Sequence, residues 1–308
     1  MNPGGLPMEV EDWRERGESF TFRDNSIHFF SREGTGVPIV LLHGFPTSSF
    51  DWSAVIERVG SNPILTFDFL GFGLSDKPRE HSYTLAWQAD LTEALVREKF
   101  PGRDVFICAH DMGTSVATEL MARDIEGELG FGISGILLFN GSILLDRANP
   151  TLAQKLLRGP FGPVAARLAN EPFFRRQFSS VFSAEHPPTP EFLSDCWALM
   201  EFEGGNRLGH KLISYMEERE IYADRWHGAI RSWGGDLSLA WGMQDPVAVP
   251  EILDGLVELR PSVRPVRFED LGHYPQVEDP DRFTAVLVEM IGAVGDDART
   301  GSGTTPAG

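Results

Sequence analysis

The chain has 308 residues, of which 42% are hydrophobic and 23% are charged, as is ordinary for a soluble globular protein. This length accommodates one large α/β domain with an insertion, or two modest domains. The net charge of −18 argues against nucleic acids, acidic membrane surfaces and polyanionic substrates as partners, although a local positive site is compatible with it. The composition therefore favours a neutral small-molecule substrate, with no nucleic-acid partner and no membrane partner.

The cysteines and the beginning of the chain indicate the cellular compartment. Cys108 and Cys196 are too few for a disulfide framework, so we expect free thiols. The first ten residues lack a basic segment followed by an apolar core, and no apolar run approaches bilayer length. We therefore expect a cytoplasmic protein. Clustered Cys/His spacing and a GxGxxG phosphate loop are both absent from the sequence, which implies neither a metal nor a nucleotide cofactor.

Along the chain, an N-terminal hairpin precedes an alternation of strands and helices. Residues 20–22 and 27–30, joined through Asp24 and Asn25, have the pattern of two antiparallel strands. Helical stretches such as residues 84–100 then separate the apolar segments. This alternation predicts an α/β fold with a doubly wound, mostly parallel sheet whose reactive groups lie at the carboxyl ends of the strands. The predicted strands are residues 39–42, 63–68, 105–109, 133–139, 237–241 and 263–268.

The alternation stops between the fourth and fifth of these strands, where the chain becomes helical and rich in proline. We interpret residues 143–233 as a helical cap inserted into a core domain of residues 1–142 and 234–294. The aromatic content of the cap suggests a roofed apolar pocket. Residues 295–308 are small and polar, which predicts a disordered tail. The predicted cap helices are residues 152–157, 165–168, 173–182, 190–200 and 208–220.

The segment from Asp104 to Arg123 carries the most informative pattern. Residues 105–108 form an apolar run typical of a strand covered on both faces, and Met112 and Val116 recur at helical spacing just behind it. Strand becomes helix across a short turn that holds Asp111. A lone aspartate before a helix is usually an N-cap, but the motifs elsewhere in the chain favour a catalytic nucleophile.

Other polar segments follow three of the predicted strands. The first strand runs into His43-Gly44-Phe45-Pro46, whose glycine permits a tight bend and whose proline fixes its own φ. Asp245 lies at the exit of another strand, although an Asp-Pro pair also begins turns. His273 follows the last strand and is the best candidate for a general base. We interpret His110 as a packing residue and Asp270 as a turn residue.

Together these motifs resemble the α/β-hydrolase fold, in which a nucleophile elbow, usually GxSxG, lifts one side chain above the sheet. Here Asp111 occupies the serine position. The chain order Asp111, Asp245, His273 matches the nucleophile, acid and base of that fold. By this resemblance the backbone N–H groups of Phe45 and Met112 form an oxyanion hole, and Asp245 orients the imidazole of His273.

An aspartate at the elbow changes the chemistry. A carboxylate displaces a leaving group at a saturated carbon and forms an alkyl ester, which water then cleaves at the aspartyl carbonyl. The sequence is similar to the aspartate-nucleophile α/β-hydrolases, which include epoxide hydrolases, haloalkane dehalogenases and fluoroacetate dehalogenases. Its cap and residues 225–229 also resemble the mesoderm-specific transcript proteins.

The leaving group separates these enzymes. Haloalkane dehalogenases place a tryptophan directly after the nucleophile, whereas this chain has Met112, which offers a halide no side-chain N–H. Fluoroacetate dehalogenases bind a carboxylate through arginines in that turn, whereas residues 112–120 contain no positive charge. Epoxide hydrolases use cap tyrosines as proton donors, and the predicted cap contains Tyr215 and Tyr222.

The resemblance therefore implies an epoxide hydrolase acting on a neutral, mostly apolar small molecule and water. Asp111 attacks the epoxide, Tyr215 stabilises the departing oxygen, and water activated by His273 releases a vicinal diol. An ordinary packing role for Tyr215 is the competing interpretation. The alternatives are a haloalkane dehalogenase with donors such as Trp197 and a noncatalytic, hydrolase-like protein that binds a ligand. Further candidate donors for the epoxide oxygen are Tyr222, Trp197, His186 and His210.

Overall fold

The computed structural model describes residues 6–300, and the side chains of residues 6–294. The strands are β1 (Glu18–Phe22), β2 (Asn25–Arg32), β3 (Ile39–Leu42), β4 (Ile64–Phe67), β5 (Val105–His110), β6 (Ile133–Phe139), β7 (Leu237–Gly242) and β8 (Val266–Phe268). The helices are α1 (Met8–Arg16), α2 (Ser53–Ile56), α3 (Leu85–Lys99), α4 (Met112–Glu126), α5 (Leu152–Arg158), α6 (Gly162–Arg167), α7 (Glu171–Ser179), α8 (Pro190–Glu201), α9 (Gly209–Leu212), α10 (Tyr215–Ile221), α11 (Ala223–Ser232), α12 (Pro250–Leu259), α13 (Pro275–Glu278) and α14 (Pro280–Thr300).

The eight strands form one sheet in the order β1-β2-β4-β3-β5-β6-β7-β8. The hairpin of β1 and β2 is antiparallel, and β2 also pairs antiparallel with β4. Every pair from β4 to β8 is parallel. The prediction of an α/β fold with a mostly parallel sheet behind an N-terminal hairpin is therefore confirmed.

Apolar runs in the central strands fill two cores, one on each face of the sheet. All residues of β3 and β5 are buried, because helices cover both faces. Along β3, Val40 and Leu42 point into one core while Ile39 and Leu41 point into the other. This alternation follows from the two-residue period of a strand. Cys108 and Cys196 are both buried and unpaired, as expected.

The carboxyl edge of the parallel strands collects the polar segments identified in the sequence. Asp111 directly follows β5, the His43-Gly44-Phe45-Pro46 segment follows β3, and Asp245 and His273 follow β7 and β8. Parallel strands end at the same edge, so residues far apart in sequence meet there.

The chain leaves the sheet after β6 and returns to it at β7, and the helices α5 to α11 lie between these strands. The single helix predicted for residues 208–220 is wrong, because α9 ends at Leu212 and α10 begins at Tyr215. Tight turns join them, in which Ser214 N–H donates to Lys211 and Met216 N–H donates to Ile213. The break orients α10 so that Tyr215 and Arg219, four residues apart, are both buried.

Two further expectations differ from the structure. Strand β8 begins at Val266 rather than at residue 263, because Val263 N–H closes a turn onto Arg260. Helix α14 continues to Thr300 and therefore includes residues 295–300 of the predicted tail; residues 296–300 contain neither glycine nor proline to stop a helix. Residues 301–308 of that predicted tail lie outside the described residues. No helix in the described part of the chain is long and apolar enough to cross a membrane.

Candidate active site

Asp111 occupies a strained turn between β5 and α4. Its backbone has φ 42° and ψ −109°, a conformation that L-residues rarely adopt and that the surrounding structure must enforce. A methyl group at Gly44 would lie 2.7 Å from the Cβ atom of Asp111, so the facing loop requires a glycine for its close approach. The strained turn is the expected geometry of a nucleophile elbow.

One oxygen of the Asp111 carboxylate is already bound to a backbone donor. The Phe45 N–H donates to Asp111 Oδ2 at 2.9 Å. Met112 is the first residue of α4, so its N–H lies at the N-terminus of that helix, beside Asp111. The bond to Oδ2 places a backbone N–H against the carboxylate, which is the arrangement expected of an oxyanion-hole donor.

His43 holds the Gly44–Phe45 loop in place through hydrogen bonds of both ring nitrogens. Its Nε2 accepts a hydrogen bond from the Phe69 N–H at 3.0 Å, so its Nδ1 carries the proton that is donated to the Gly44 carbonyl at 2.8 Å. Burial lowers the pKa of His43, against the opposing charges of Asp68 and Asp111. The ring is therefore a neutral, structural bridge that holds the Gly44–Phe45 peptide toward Asp111.

Asp245 and His273 form a tight pair at the same edge. His273 Nδ1 and Asp245 Oδ2 are 2.6 Å apart, and the Asn140 amide donates to the same oxygen at 2.8 Å. The other oxygen, Oδ1, accepts the N–H groups of Val247 at 2.7 Å and Ala248 at 3.0 Å. Asp245 is thus held as a hydrogen-bonded acceptor, which directs Nε2 of the imidazole away from it.

The electrostatics of His273 suit a general base. Burial alone lowers its pKa, but the charge and the hydrogen bond of Asp245, followed by the charges of Asp111 and Glu278, raise the pKa above its usual value. Such a base accepts a proton once the pH is above its raised pKa.

Arg219, which the sequence pattern did not indicate, contacts Asp111 directly. Its Nη2 donates to the Asp111 carbonyl at 2.8 Å and lies 3.8 Å from Asp111 Oδ1, while its Nε donates to Ser115 Oγ at 2.8 Å. The guanidinium also lies over the ring of Tyr215 at 4.7 Å. A buried cation thus balances the buried carboxylate and joins α10 to the start of α4. The only sequence signal was its spacing, four residues after Tyr215.

The side chains of the two charged pairs differ in how much of their surface remains exposed. The side chains of Asp111 and His273 keep 3% and 5% of their surface exposed, whereas those of Arg219 and Asp245 keep none. Asp111 and His273 therefore keep a small exposed surface, whereas Arg219 and Asp245 are completely buried against Asp111 and His273, respectively.

Tyr215 lies beside the elbow with its hydroxyl uncommitted. Its ring centroid is 5.8 Å from that of Phe45, and within the described residues its buried hydroxyl has no hydrogen-bond partner that meets ordinary geometry. Burial, and next the charge of Asp111, raise the pKa of Tyr215 far above its usual value. The phenol therefore stays protonated and retains a hydrogen bond to donate.

A cavity of about 500 Å³ opens next to these residues and extends under the helices between β6 and β7. Phe45 and His273 line the end of the cavity next to Asp111, which we call the polar end. Trp197 lies elsewhere in the cavity wall. His273 is the only titratable group in the wall other than the Tyr274 phenol, as far as the described residues extend. The cavity suits a neutral, largely apolar molecule of drug-like size.

The structure does not bring every predicted residue to this cavity. Tyr222 is 43% exposed and packs against Trp226, with ring centroids 5.5 Å apart and ring planes tilted by 40°, and it lies outside the cavity wall. The sequence indicates Tyr222 as a candidate donor to the substrate because it belongs to the predicted cap. In the structure Tyr222 directly follows α10 and is exposed to solvent. Asp111, Met112 and Tyr215 are not wall residues either. The wall residue Phe45 lies between them and the cavity. Met112 and Tyr215 pack in the same apolar core cluster as Phe45, and Asp111 accepts a hydrogen bond from the Phe45 N–H.

Two other candidates have structural surroundings. His110 Nε2 bonds the His273 carbonyl at 2.8 Å and its ring stacks on Phe139, in agreement with a packing role. Asp270 pairs with Arg282 at 2.8 Å and with His186 at 3.2 Å, away from Asp245. Glu185, His186 and Asp270 form the one group of three potential metal ligands within the described residues, and Asp270 is already neutralised there by Arg282.

Comparison with known proteins agrees with this geometry. A family model described as "Alpha/beta hydrolase family" matches residues 39–286. The chain belongs to the α/β hydrolase family. It is 46% identical to the putative hydrolase LipZ of Mycobacterium tuberculosis over 92% of this chain and 98% of LipZ. It is 35% identical to the mesoderm-specific transcript protein of Mus musculus over 94% of this chain and 90% of that protein.

Solved structures give the same fold. The epoxide hydrolase CorEH superposes with a TM-score of 0.74 at 18% identity, covering 90% of this hydrolase and 99% of CorEH. Structures of an esterase and of a haloalkane dehalogenase match comparably well. At this identity the likeness shows the fold alone, so the residues of the site must separate one reaction from another.

Proposed function

We propose that this α/β hydrolase is an epoxide hydrolase that converts a neutral, largely apolar epoxide into a vicinal diol. The observation that carries the proposal is the Asp111 carboxylate at the elbow, with Oδ2 on the Phe45 N–H at 2.9 Å. A carboxylate in the place of the usual serine favours attack on saturated carbon over attack on an ester.

The first step opens the ring. Asp111 Oδ1 attacks an epoxide carbon, the carbon–oxygen bond of the ring breaks, and the electron pair moves onto the departing oxygen. That alkoxide is a stronger base than a phenolate, so the Tyr215 hydroxyl donates a hydrogen bond and then its proton to it. Arg219, 3.8 Å from Asp111 Oδ1, keeps a positive charge near the negative charge as the latter moves from the carboxylate to the substrate oxygen.

The second step cleaves the ester. His273 Nε2 takes a proton from water, and the hydroxide attacks Cγ of Asp111. The charge that develops on Asp111 is stabilised by the Phe45 N–H and, in this proposal, by the Met112 N–H at the start of α4. Collapse of this intermediate breaks the bond between Cγ and the alkyl oxygen, which takes the remaining proton of the added water, so that the diol is released and the carboxylate is regenerated. The His273 imidazolium then returns its proton, through solvent, to the Tyr215 phenolate. Asp245 stabilises the imidazolium that forms in between.

The test is a turnover assay that offers aryl and alkyl epoxides beside matched bromoalkanes, with Asp111→Ala as the blank. Diol formation that disappears in the blank is the expected result. His273→Gln should complete the first step only, so intact-protein mass spectrometry should detect the substrate's mass added to the protein. Absence of that adduct with every turned-over epoxide contradicts the covalent scheme.

The alternative reaction within the same chemistry is haloalkane dehalogenation. Trp197 lines the cavity, and an indole N–H is a donor from which a halide can accept. Halide release from the bromoalkanes without diol formation would favour this reaction, and Trp197→Phe should then reduce it. A noncatalytic binding protein predicts stabilisation by ligands without product on either panel.

A further inference from the structure

Exposed apolar side chains concentrate in one part of the surface. Of the eleven large apolar side chains that are exposed in the described residues, six lie on or between α5 and α7. Phe161 and Leu168 are 76% and 71% exposed. Contiguous exposed apolar surface of this kind marks an interaction site. We name this set the rim patch: Leu152, Leu156, Phe161, Val164, Leu168 and Phe173.

The rim patch is continuous with the cavity of the candidate active site. Five of its six members, all except Leu152, also belong to the cavity wall. The same side chains therefore face both the solvent and the interior. This double contact is what is expected of residues around an entrance, and it places apolar surface at the point where a substrate enters.

The charge around the rim patch differs in sign from that of the whole chain. Residues 151–180 contain five basic residues and one acidic residue, Glu171, whereas the complete chain carries −18. Arg175 pairs with Glu171, and Arg158 pairs with Glu220 of α10. Lys155, Arg167 and Arg176 are exposed and take part in none of the ion pairs within residues 6–294.

We infer that the rim patch docks on the surface of a phospholipid bilayer that contains anionic lipid, so that an apolar substrate passes from the bilayer directly into the cavity. Leucine and phenylalanine side chains insert at the boundary between headgroups and acyl chains. Exposed lysine and arginine side chains beside them contact lipid phosphates. The helices α5, α6 and α7 have seven, six and nine residues, which permits surface contact only.

Charge also favours this occupant over a second copy of the chain. Two copies joined through the rim patch would form an isologous interface, which brings Lys155, Arg167 and Arg176 of both copies to the same contact. Like charges would then face each other, whereas an anionic headgroup layer neutralises them. The inference replaces the sequence-based expectation of no membrane partner, because the net charge of −18 conceals a locally basic surface.

The test uses the full-length protein and vesicle co-sedimentation, a measurement that requires no turnover and is therefore independent of the proposed reaction. One set of vesicles contains phosphatidylcholine alone, and the other adds phosphatidylglycerol. Three proteins are compared with the wild type: Phe161→Ser/Leu168→Ser, Lys155→Glu/Arg167→Glu/Arg176→Glu, and the matched control Ile125→Ser/Val288→Ser. The control residues are 48% and 43% exposed and lie on α4 and α14, outside the rim patch.

The expected result is binding by the wild type and the control, strongest on vesicles with phosphatidylglycerol. The serine variant should bind roughly tenfold or more weakly to both vesicles, because it removes two inserting side chains. The glutamate variant should lose the preference for phosphatidylglycerol. Circular dichroism and thermal unfolding establish that the variants are folded.

Three outcomes would overturn the inference. The first is failure of the wild type to sediment with either vesicle. The second is equal loss in the serine variant and in the control. The third is a wild-type dimer in sedimentation velocity that the serine variant converts to a monomer, without vesicle binding, which would assign the rim patch to a second copy.

Discussion

The two ends of the cavity are built by different means. At the polar end, parallel strands of the sheet position Asp111, Asp245 and His273, and both oxygens of Asp245 bind named donors. At the outer end, short helices between β6 and β7 present apolar side chains to cavity and solvent together. The carboxylates and the imidazole at the polar end are held by hydrogen bonds, although the Tyr215 hydroxyl has no partner within the described residues, whereas the outer end is built mainly from apolar contacts.

In the proposed function, the polar end carries out the reaction and the outer end controls the entry of the substrate. Hydrogen-bonded carboxylates at the ends of buried strands cannot shift without losing several partners, so the polar end determines the chemistry. Apolar contacts have no directional requirement, so the outer end can vary in sequence and still admit an apolar substrate. Substitutions at the polar end should consequently have the larger effects, and the effects should decline with distance from Asp111.

The largest effect after loss of the nucleophile is expected for Asp245→Asn, with kcat lower by roughly a thousandfold or more. The amide donates to Nδ1 of His273 and so leaves the proton on Nε2, which then cannot accept one from water. In the wild type, kcat should rise as the pH passes upward through the raised pKa of His273, since only the neutral imidazole is a base. In the variant this rise should move to lower pH. Asp270→Asn is the control and should keep the wild-type profile.

Arg219→Ala should lower kcat by about a hundredfold, because it removes a buried charge 3.8 Å from Asp111 Oδ1 and leaves the Asp111 carbonyl without that donor. Arg219→Lys should restore part of the rate, since it returns the charge without the two-nitrogen fork. The measurement is single-turnover adduct formation in the His273→Gln background. Equal rates in the Ala and Lys variants would refute an electrostatic role. Arg225→Ala serves as a matched control on α11.

Tyr215→Phe should slow epoxide opening by roughly tenfold to a hundredfold while leaving the affinity for substrate nearly unchanged. Its thermal unfolding midpoint should stay close to that of the wild type, because the buried hydroxyl has no partner to lose within the described residues. Steady-state kinetics with an epoxide measures both constants. Loss of stability without loss of kcat would reduce Tyr215 to a packing residue.

The smallest effect is expected for Tyr222→Phe, whose kcat should stay within about a factor of two of the wild type. The side chain is 43% exposed and packs against Trp226, whereas Tyr215 is buried against Phe45 and Arg219 beside Asp111. The same epoxide assay compares it with Tyr215→Phe. A larger loss for Tyr222→Phe than for Tyr215→Phe would invert the assignment of the proton donor.

The sheet and the location of Asp111, Asp245 and His273 could be predicted from sequence because the signals are local. A buried strand is an apolar run, and a polar residue just after it lies at the carboxyl edge. The turn at Asp111 could be predicted for the same reason, since strand and helix patterns meet there within a few residues. The helices between β6 and β7 were placed less well, because proline breaks and short amphipathic runs do not specify where a helix turns.

The sequence by itself determined the α/β architecture and the order of the polar groups along it, since strand periodicity and apolar content act over a few neighbouring residues. Only the tertiary structure decided that Arg219 lies against Asp111, that Tyr215 faces the site while Tyr222 faces solvent, and that the rim patch surrounds the cavity mouth. Arg219 and Asp111 are 108 residues apart, and their contact depends on how α10 turns away from α9. The hydrogen bonds of Arg219 to Asp111 and Ser115 join α10 to the start of α4, and no local sequence pattern specifies such a contact.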